Sequence, residues 1–180
     1  ISRAIVEANA WMFQQILARG VHGIILCKAN TADAVRAFVE CCRFPVQRAG
    51  VGEGVGEGVR GFGAEISAAH IWGVDTETYG AKADPWPLNP DGELILGIKI
   101  ETVNGVEQLE EIIAVPGIAF AEVGPTDMSY ALGIPKLTVP LSGKVAEIEK
   151  RVGEACKASG VPYHPFTGHL GPEGIPNVID

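Results

Sequence analysis

Two acidic residues, Glu101 and Asp127, each follow a strongly apolar run: GELILGIKIE (92–101) and GIAFAEVGPTD (117–127). A nearly continuous series of Leu, Ile and Val fits a strand buried on both faces, so each carboxylate stands at or just beyond a strand's C-terminal edge. Between them Val106, Leu109, Ile112 and Ile113 share one side and Glu107, Glu110 and Glu111 the other, the pattern of an amphipathic helix over 103–114. Strand, helix, strand is one βαβ unit, whose strands commonly lie side by side with their ends about 5 Å apart. Two carboxylates that close destabilise one another unless they share a proton or bind a cation. Oxygen donors suit Mg²⁺ or Mn²⁺, which takes one or two protein carboxylates and leaves positions for water and substrate oxygens. The same spacing also admits a plainer arrangement, with Glu101 near a helix N-terminus and Asp127 in a Gly-Pro turn. Glu122 competes as a ligand, but it lies within the strand before that turn.

The elements that must hold this pair recur along the chain. NAWMFQQILARG (9–20), with Asn9 as N-cap and Gly20 as stop, predicts a short helix. GIILCKA (23–29) predicts a strand, and NTADAVRAFVECCRF (30–44) a helix with Val35, Phe38, Val39 and Cys42 on one face. PVQRAGVGEGVGEGVRGFG (45–63) is too rich in glycine for a packed element and reads as a mobile loop. It lacks the GK[ST] ending of a P-loop, and its glutamates would repel phosphate. AEISAAHIWG (64–73) predicts a helix, followed by a polar, proline-rich excursion, KADPWPLNPDGE (82–93). KVAEIEKRVGEACKAS (144–159) predicts a helix stopped by Gly160, VPYHPF (161–166) a last strand, and ISRAIV (1–6) a further strand at the start. Such alternation predicts a parallel α/β architecture with its site at the strands' C-terminal ends. The strands are fewer than a (β/α)₈ barrel needs, so one domain over 1–180 is expected, either an open sheet or part of a longer protein.

Composition excludes several partners. The 180 residues, 47% hydrophobic and 20% charged, suffice for one sizeable core. A net charge of -8 without any Lys/Arg cluster leaves no electrostatic footprint for nucleic acid. The apolar runs are far shorter than the ~18 residues that mark a membrane span, and no leader is visible, so a soluble cytoplasmic protein is expected. Cys27, Cys41, Cys42 and Cys156 form no CxxC and no Cys/His zinc spacing; they are expected to be small buried residues in a reducing compartment.

The stretch IKIETVNGVEQLEEIIAVPGIAFAEVGPTDMSYALG (98–133) carries a strand ending I-E-T, then A-V-P-G, then G-P-x-D-[LM]-S. In these motifs it resembles the HpcH/HpaI aldolase family of metal-dependent pyruvate aldolases. GVHGIILCKANTADAVRAFVECCRFP (20–45) resembles that family's fourth strand and following helix, so the likeness spans most of 1–166. The resemblance implies a (β/α)₈ TIM barrel, of which this chain holds about the third to seventh strands. It implies that Glu101 and Asp127 ligate Mg²⁺ or Mn²⁺, and that the backbone of Gly124, Pro125, Thr126 and Asp127 holds the carboxylate of pyruvate. Thr126 and Asp127 would supply N–H donors there and Pro125 none. Arg3, with a one-residue shift, would be the third-strand arginine that polarises the keto oxygen.

The family's histidine base belongs to the second strand, which this sequence lacks. His22, His70, His164 and His169 are expected to be structural or solvent-facing, and Trp72, Tyr79, Trp86 and Tyr130 to be core or interface residues. Lys99 shares Glu101's side of its strand, but the family forms no Schiff base there. The implied reaction is reversible cleavage of a 4-hydroxy-2-oxoacid to pyruvate and an aldehyde, through an enolate stabilised by the metal as Lewis acid. The alternatives are a CoA-ester lyase of the citrate-lyase-β type, for which no basic strip is visible, and a non-catalytic 2-oxoacid or metal-binding module. Family hexamers imply a homo-oligomer.

Overall fold

Along the run LILGIKI, Leu94, Leu96, Ile98 and Ile100 are fully buried while Ile95 and Lys99 are not, so the strand presents one wholly apolar face to a layer of helices. In the computed structural model, which describes residues 1–63 and 65–167, this strand lies at the centre of one parallel sheet. The chain opens on helices α1 (Arg3–Ala8) and α2 (Ala10–Leu17), strand β1 (Gly23–Leu26) and helix α3 (Ala32–Cys42). After a long loop come α4 (Glu65–Trp72), α5 (Thr76–Lys82) and the short strand β2 (Pro85–Trp86). Then follow β3 (Leu94–Ile100), α6 (Val103–Glu107), α7 (Leu109–Ile113), β4 (Phe120–Val123), α8 (Pro125–Ala131), α9 (Gly143–Ser159) and β5 (Tyr163–His164). The strand order is β1-β3-β4-β5, with β2 beside the first residues of β3. No helix among the described residues is long and apolar enough to cross a membrane.

Helices α3, α7 and α9 cover the apolar face with Val35, Phe38, Val39, Leu109, Ile112, Val152 and Cys156, all in one core cluster with the strand. Each such aliphatic or aromatic side chain contributes about 1.5–3 kcal/mol by leaving water. Local signals set the helix ends. The Thr31 hydroxyl accepts from Ala34 N–H at the start of α3 (3.1 Å), and α9 stops at Gly160 in the left-handed conformation (φ 71°).

Several regions differ from the sequence expectation. Residues 1–6 form no strand: the Ser2 carbonyl accepts from Ile5 and Val6 N–H (3.1 and 3.2 Å), which starts α1, and Val6 enters the core against α3. The helix expected over 103–114 is divided at Gln108 into α6 and α7, although Val106, Leu109, Ile112 and Ile113 keep a common buried face. Within the polar stretch after α4, Asp75 caps an unforeseen helix, α5, by accepting from Thr78 N–H (2.7 Å), and α5 buries Tyr79. The glycine-rich loop has no helix, as expected, yet it is tied down. Gly56 N–H donates to Glu40 Oε1 (2.8 Å), Val59 N–H to the Glu40 carbonyl (2.9 Å) and Arg60 N–H to the Arg43 carbonyl (2.8 Å).

Candidate functional site

Parallel pairing of β3 with β4 sets Ile100 against Val123, so the next residues, Glu101 and Gly124, meet just beyond the strand ends. The Gly124 N–H donates to the Ile100 carbonyl (3.1 Å), continuing the ladder up to that point. Glu101 is only 4% exposed, and its Oε1 accepts from the backbone N–H of Lys28 at the end of β1 (3.0 Å). Its Oε2 lies over Gly124, where a methyl group would overlap it and come within 2.9 Å of the Glu101 Cβ. Glycine is therefore required by this close approach.

Asp127 sits in the first turn of α8, because Gly-Pro starts a helix here with Pro125 at its N-terminus, where the missing N–H costs nothing. Its carboxylate is about half exposed, with Oδ1 3.4 Å from Nζ of Lys28. Burial first, and then the negative charge of Asp127, push the Glu101 carboxyl above its usual range. The two acids predicted from strand ends therefore stand in each other's field. Lys28 joins them, giving its amide to Glu101 and its ammonium to Asp127, and it does so from a left-handed backbone (φ 55°), unusual for a residue other than glycine. Sequence reasoning passed over Lys28; its place at the end of the apolar run GIILCK was the available signal.

The donor set suits a hard divalent cation. Two carboxylates, one buried and raised by its neighbour and one open to solvent, leave room for water and substrate oxygens. Among the described residues no group of three or more His, Cys, Asp or Glu is arranged to hold a metal. The N–H groups of Thr126 and Asp127 fall in the first turn of α8, where a helix leaves its donors without intrahelical acceptors.

Other candidates fall elsewhere. Arg3, expected on a strand at the site, is on α1 because residues 3–8 are helical; its Nε is 2.8 Å from Glu7 and its Nη2 2.7 Å from Glu40, and no contact joins it to Glu101 or Asp127. Glu122 does not join the acidic pair, since Lys99 Nζ (2.9 Å) and His164 Nδ1 (3.4 Å) flank it along one row of the sheet. His164 is thus partnered by a carboxylate rather than simply solvent-facing. The bond to Glu122 raises the Lys99 ammonium above its usual range and keeps it charged, against a Schiff-base role. His22 stacks on Trp72 (4.1 Å between centroids), His70 is exposed, and His169 lies outside the described residues. Cys41, Cys42 and Cys156 are buried as expected, whereas Cys27 is exposed beside Lys28 at the end of β1. Tyr79 belongs to the core and Trp72 packs against it, while Trp86 and Tyr130 are exposed.

A family model described as HpcH/HpaI aldolase/citrate lyase matches residues 5–166. A hydroxypyruvate/pyruvate aldolase of Roseobacter denitrificans is 29% identical over 155 residues, covering 85% of this chain and 54% of the relative. A 2-keto-3-deoxy-L-rhamnonate aldolase of Klebsiella pneumoniae is 32% identical over 130 residues, covering 72% and 42%. Among solved structures, an HpcH/HpaI aldolase/citrate lyase family protein of Burkholderia cenocepacia superposes with a TM-score of 0.71 at 26% identity, over 88% of this chain and 55% of that one. The chain spans about half the length of the curated relatives it matches. Its parallel sheet and covering helices correspond to part of a TIM barrel, with Glu101 and Asp127 at the C-terminal ends of the strands.

Proposed function

Because this chain belongs to the HpcH/HpaI aldolase/citrate lyase family, we propose that Glu101 and Asp127 form the metal site of an aldolase that reversibly cleaves a 4-hydroxy-2-oxoacid to pyruvate and an aldehyde. What supports the reading is that Lys28 bonds both to buried Glu101, through its amide, and to half-exposed Asp127, through its ammonium, just beyond the ends of adjacent strands. Glu101 and Asp127 would hold Mg²⁺ or Mn²⁺, which would supply Lewis-acid chemistry for the substrate's keto group.

The chain's own residues do the rest. The Lys28 amide fixes the direction of the Glu101 carboxylate, and the bare Cα of Gly124 leaves space for it. The N–H groups of Thr126 and Asp127, with Gly124 ahead of them, receive the substrate carboxylate at the start of α8. The Lys28 ammonium adds positive charge on the side of Asp127. Arg3 takes no part in this scheme, being committed to Glu7 and Glu40. A homo-oligomer is the working form we favour, supported by the exposed apolar side chains Trp11, Met12 and Ile16 on α2.

Pyruvate release from a panel of 4-hydroxy-2-oxoacids, followed with Mg²⁺ or Mn²⁺ and after chelation, tests this. Glu101→Gln and Asp127→Asn are each expected to lower turnover by about 100-fold or more. Turnover indifferent to chelation, or unchanged in both variants, would contradict the reading. Binding of pyruvate with metal but no turnover would leave a 2-oxoacid-binding module.

A further inference from the structure

At the other end of the sheet a cavity of about 870 Å³ opens between the end of α3, the glycine-rich loop and α5. It is not the Glu101 site. Its wall includes Asp84, just before β2, which pairs with the first residues of β3, whereas Glu101 follows the last; seven residues of strand, roughly 23 Å, lie between. Phe44, Val46, Val59 and Phe62 make much of the wall apolar, and its size is that of a small-molecule site.

Arg60 lines this cavity and is 4% exposed. Its guanidinium lies 4.3 Å from the centroid of the Phe44 ring, and Nη2 donates to the Tyr79 hydroxyl (2.6 Å). Its Nε and Nη1, both buried, have no hydrogen-bond acceptor among the described residues. Among the described residues no carboxylate lies within ion-pair distance of it: Asp84 is held by Arg43 (2.6 Å), Glu57 by Arg48 (2.7 Å), and Glu77 on the rim is exposed. A guanidinium cannot shed its proton, and a buried charge with unmade hydrogen bonds is costly unless a counter-charge joins it. Stacking on Phe44 and Tyr79 offsets only part of that cost.

We propose that this cavity is a second ligand site, taking a small organic anion, a carboxylate or a phosphate ester on an apolar body, with Arg60 as its counter-charge. The anion completes the guanidinium's hydrogen bonds, and the apolar body lies against Phe44, Val59 and Phe62.

Calorimetric titration with 2-naphthoate, 2-naphthyl phosphate and neutral 2-naphthamide tests the assignment. At least one anion should bind about tenfold or more tighter than the amide, and the stronger anion tells a carboxylate site from a phosphate site. Arg60→Met should abolish the preference. Should that variant unfold, Val59→Glu, at a rim position 62% exposed, sets a like charge at the mouth without disturbing the core and should weaken the anion about tenfold. Glu77→Gln should tighten it. Equal binding of anion and amide, no binding at about 10 mM, or indifference to Val59→Glu would overturn the proposal. So would self-association that covers the cavity while no anion binds.

Discussion

An ionised Glu101 is disfavoured in the folded chain. Burial and Asp127 both resist its charge, and the Lys28 N–H together with the charges of Lys99 and Lys28 only partly compensates. Unfolded, this carboxyl ionises in the ordinary range; folded, it keeps its proton to higher pH. Its contribution to stability is therefore present below the unfolded value and lost as pH rises through the folded one. Glu101→Gln removes the titration while keeping an acceptor for Lys28 N–H. With chelator present, this variant should melt above the parent at pH 7, and the gap should narrow as pH falls toward 5. Thermal denaturation across that range checks it; a parent that melts higher at pH 7, or a gap indifferent to pH, would contradict the stated origin of the shift. A site residue that weakens its own fold fits a role in binding rather than in packing.

At the scale of elements, the end of α3 is fixed to the segment that precedes β3 by a buried ion pair. Arg43 Nε and Nη2 meet the two oxygens of Asp84 at 2.6 and 3.1 Å, and neither side chain is more than 1% exposed. Asn89 Nδ2 also donates to Asp84, and Arg43 Nη1 to the Ala49 carbonyl in the glycine-rich loop. Asp84→Asn leaves Arg43 buried without its counter-charge and should cost about 3–5 kcal/mol in urea unfolding. A loss under about 0.5 kcal/mol would show that the pair holds nothing together. The amino-acid order disclosed some of these elements better than others. Leu94–Ile100 was legible because its Leu and Ile run is broken only by Gly97 and Lys99, and α3 because Val35, Phe38, Val39 and Cys42 form a clear apolar stripe. α5 was not, since TETYGAK buries Tyr79 alone and its start depends on one Asp75 cap. Residues 1–6 mislead because their apolar residues suit either conformation, and contact of Val6 with α3 decides for helix. The ion pair was hidden as well, since nothing local links Arg43 to a residue 41 positions later. The acidic pair was visible because strand ends locate it, whereas Lys28 reaches it from β1, whose place beside β3 depends on a crossover that periodicity does not give.

Across the whole molecule, three strand ends converge on one point. β1 delivers Lys28, β3 Glu101 and β4 the Gly124–Asp127 turn into α8, and only a parallel sheet in the order β1-β3-β4 brings these together at one edge. The Arg60 cavity lies at the other end of the same strands, so an acidic pair and a buried cation stand at opposite ends of one sheet. The central claim is that Glu101 and Asp127 act jointly on one cation. Its most direct test is a Mn²⁺ titration followed by the electron paramagnetic resonance signal of the free ion, comparing the parent with Glu101→Gln, Asp127→Asn and Gly124→Ala. The parent should take up one ion per chain, and each variant should weaken that binding about tenfold or more, Gly124→Ala by displacing the Glu101 carboxylate. Equal uptake by the parent and both carboxylate variants would contradict it.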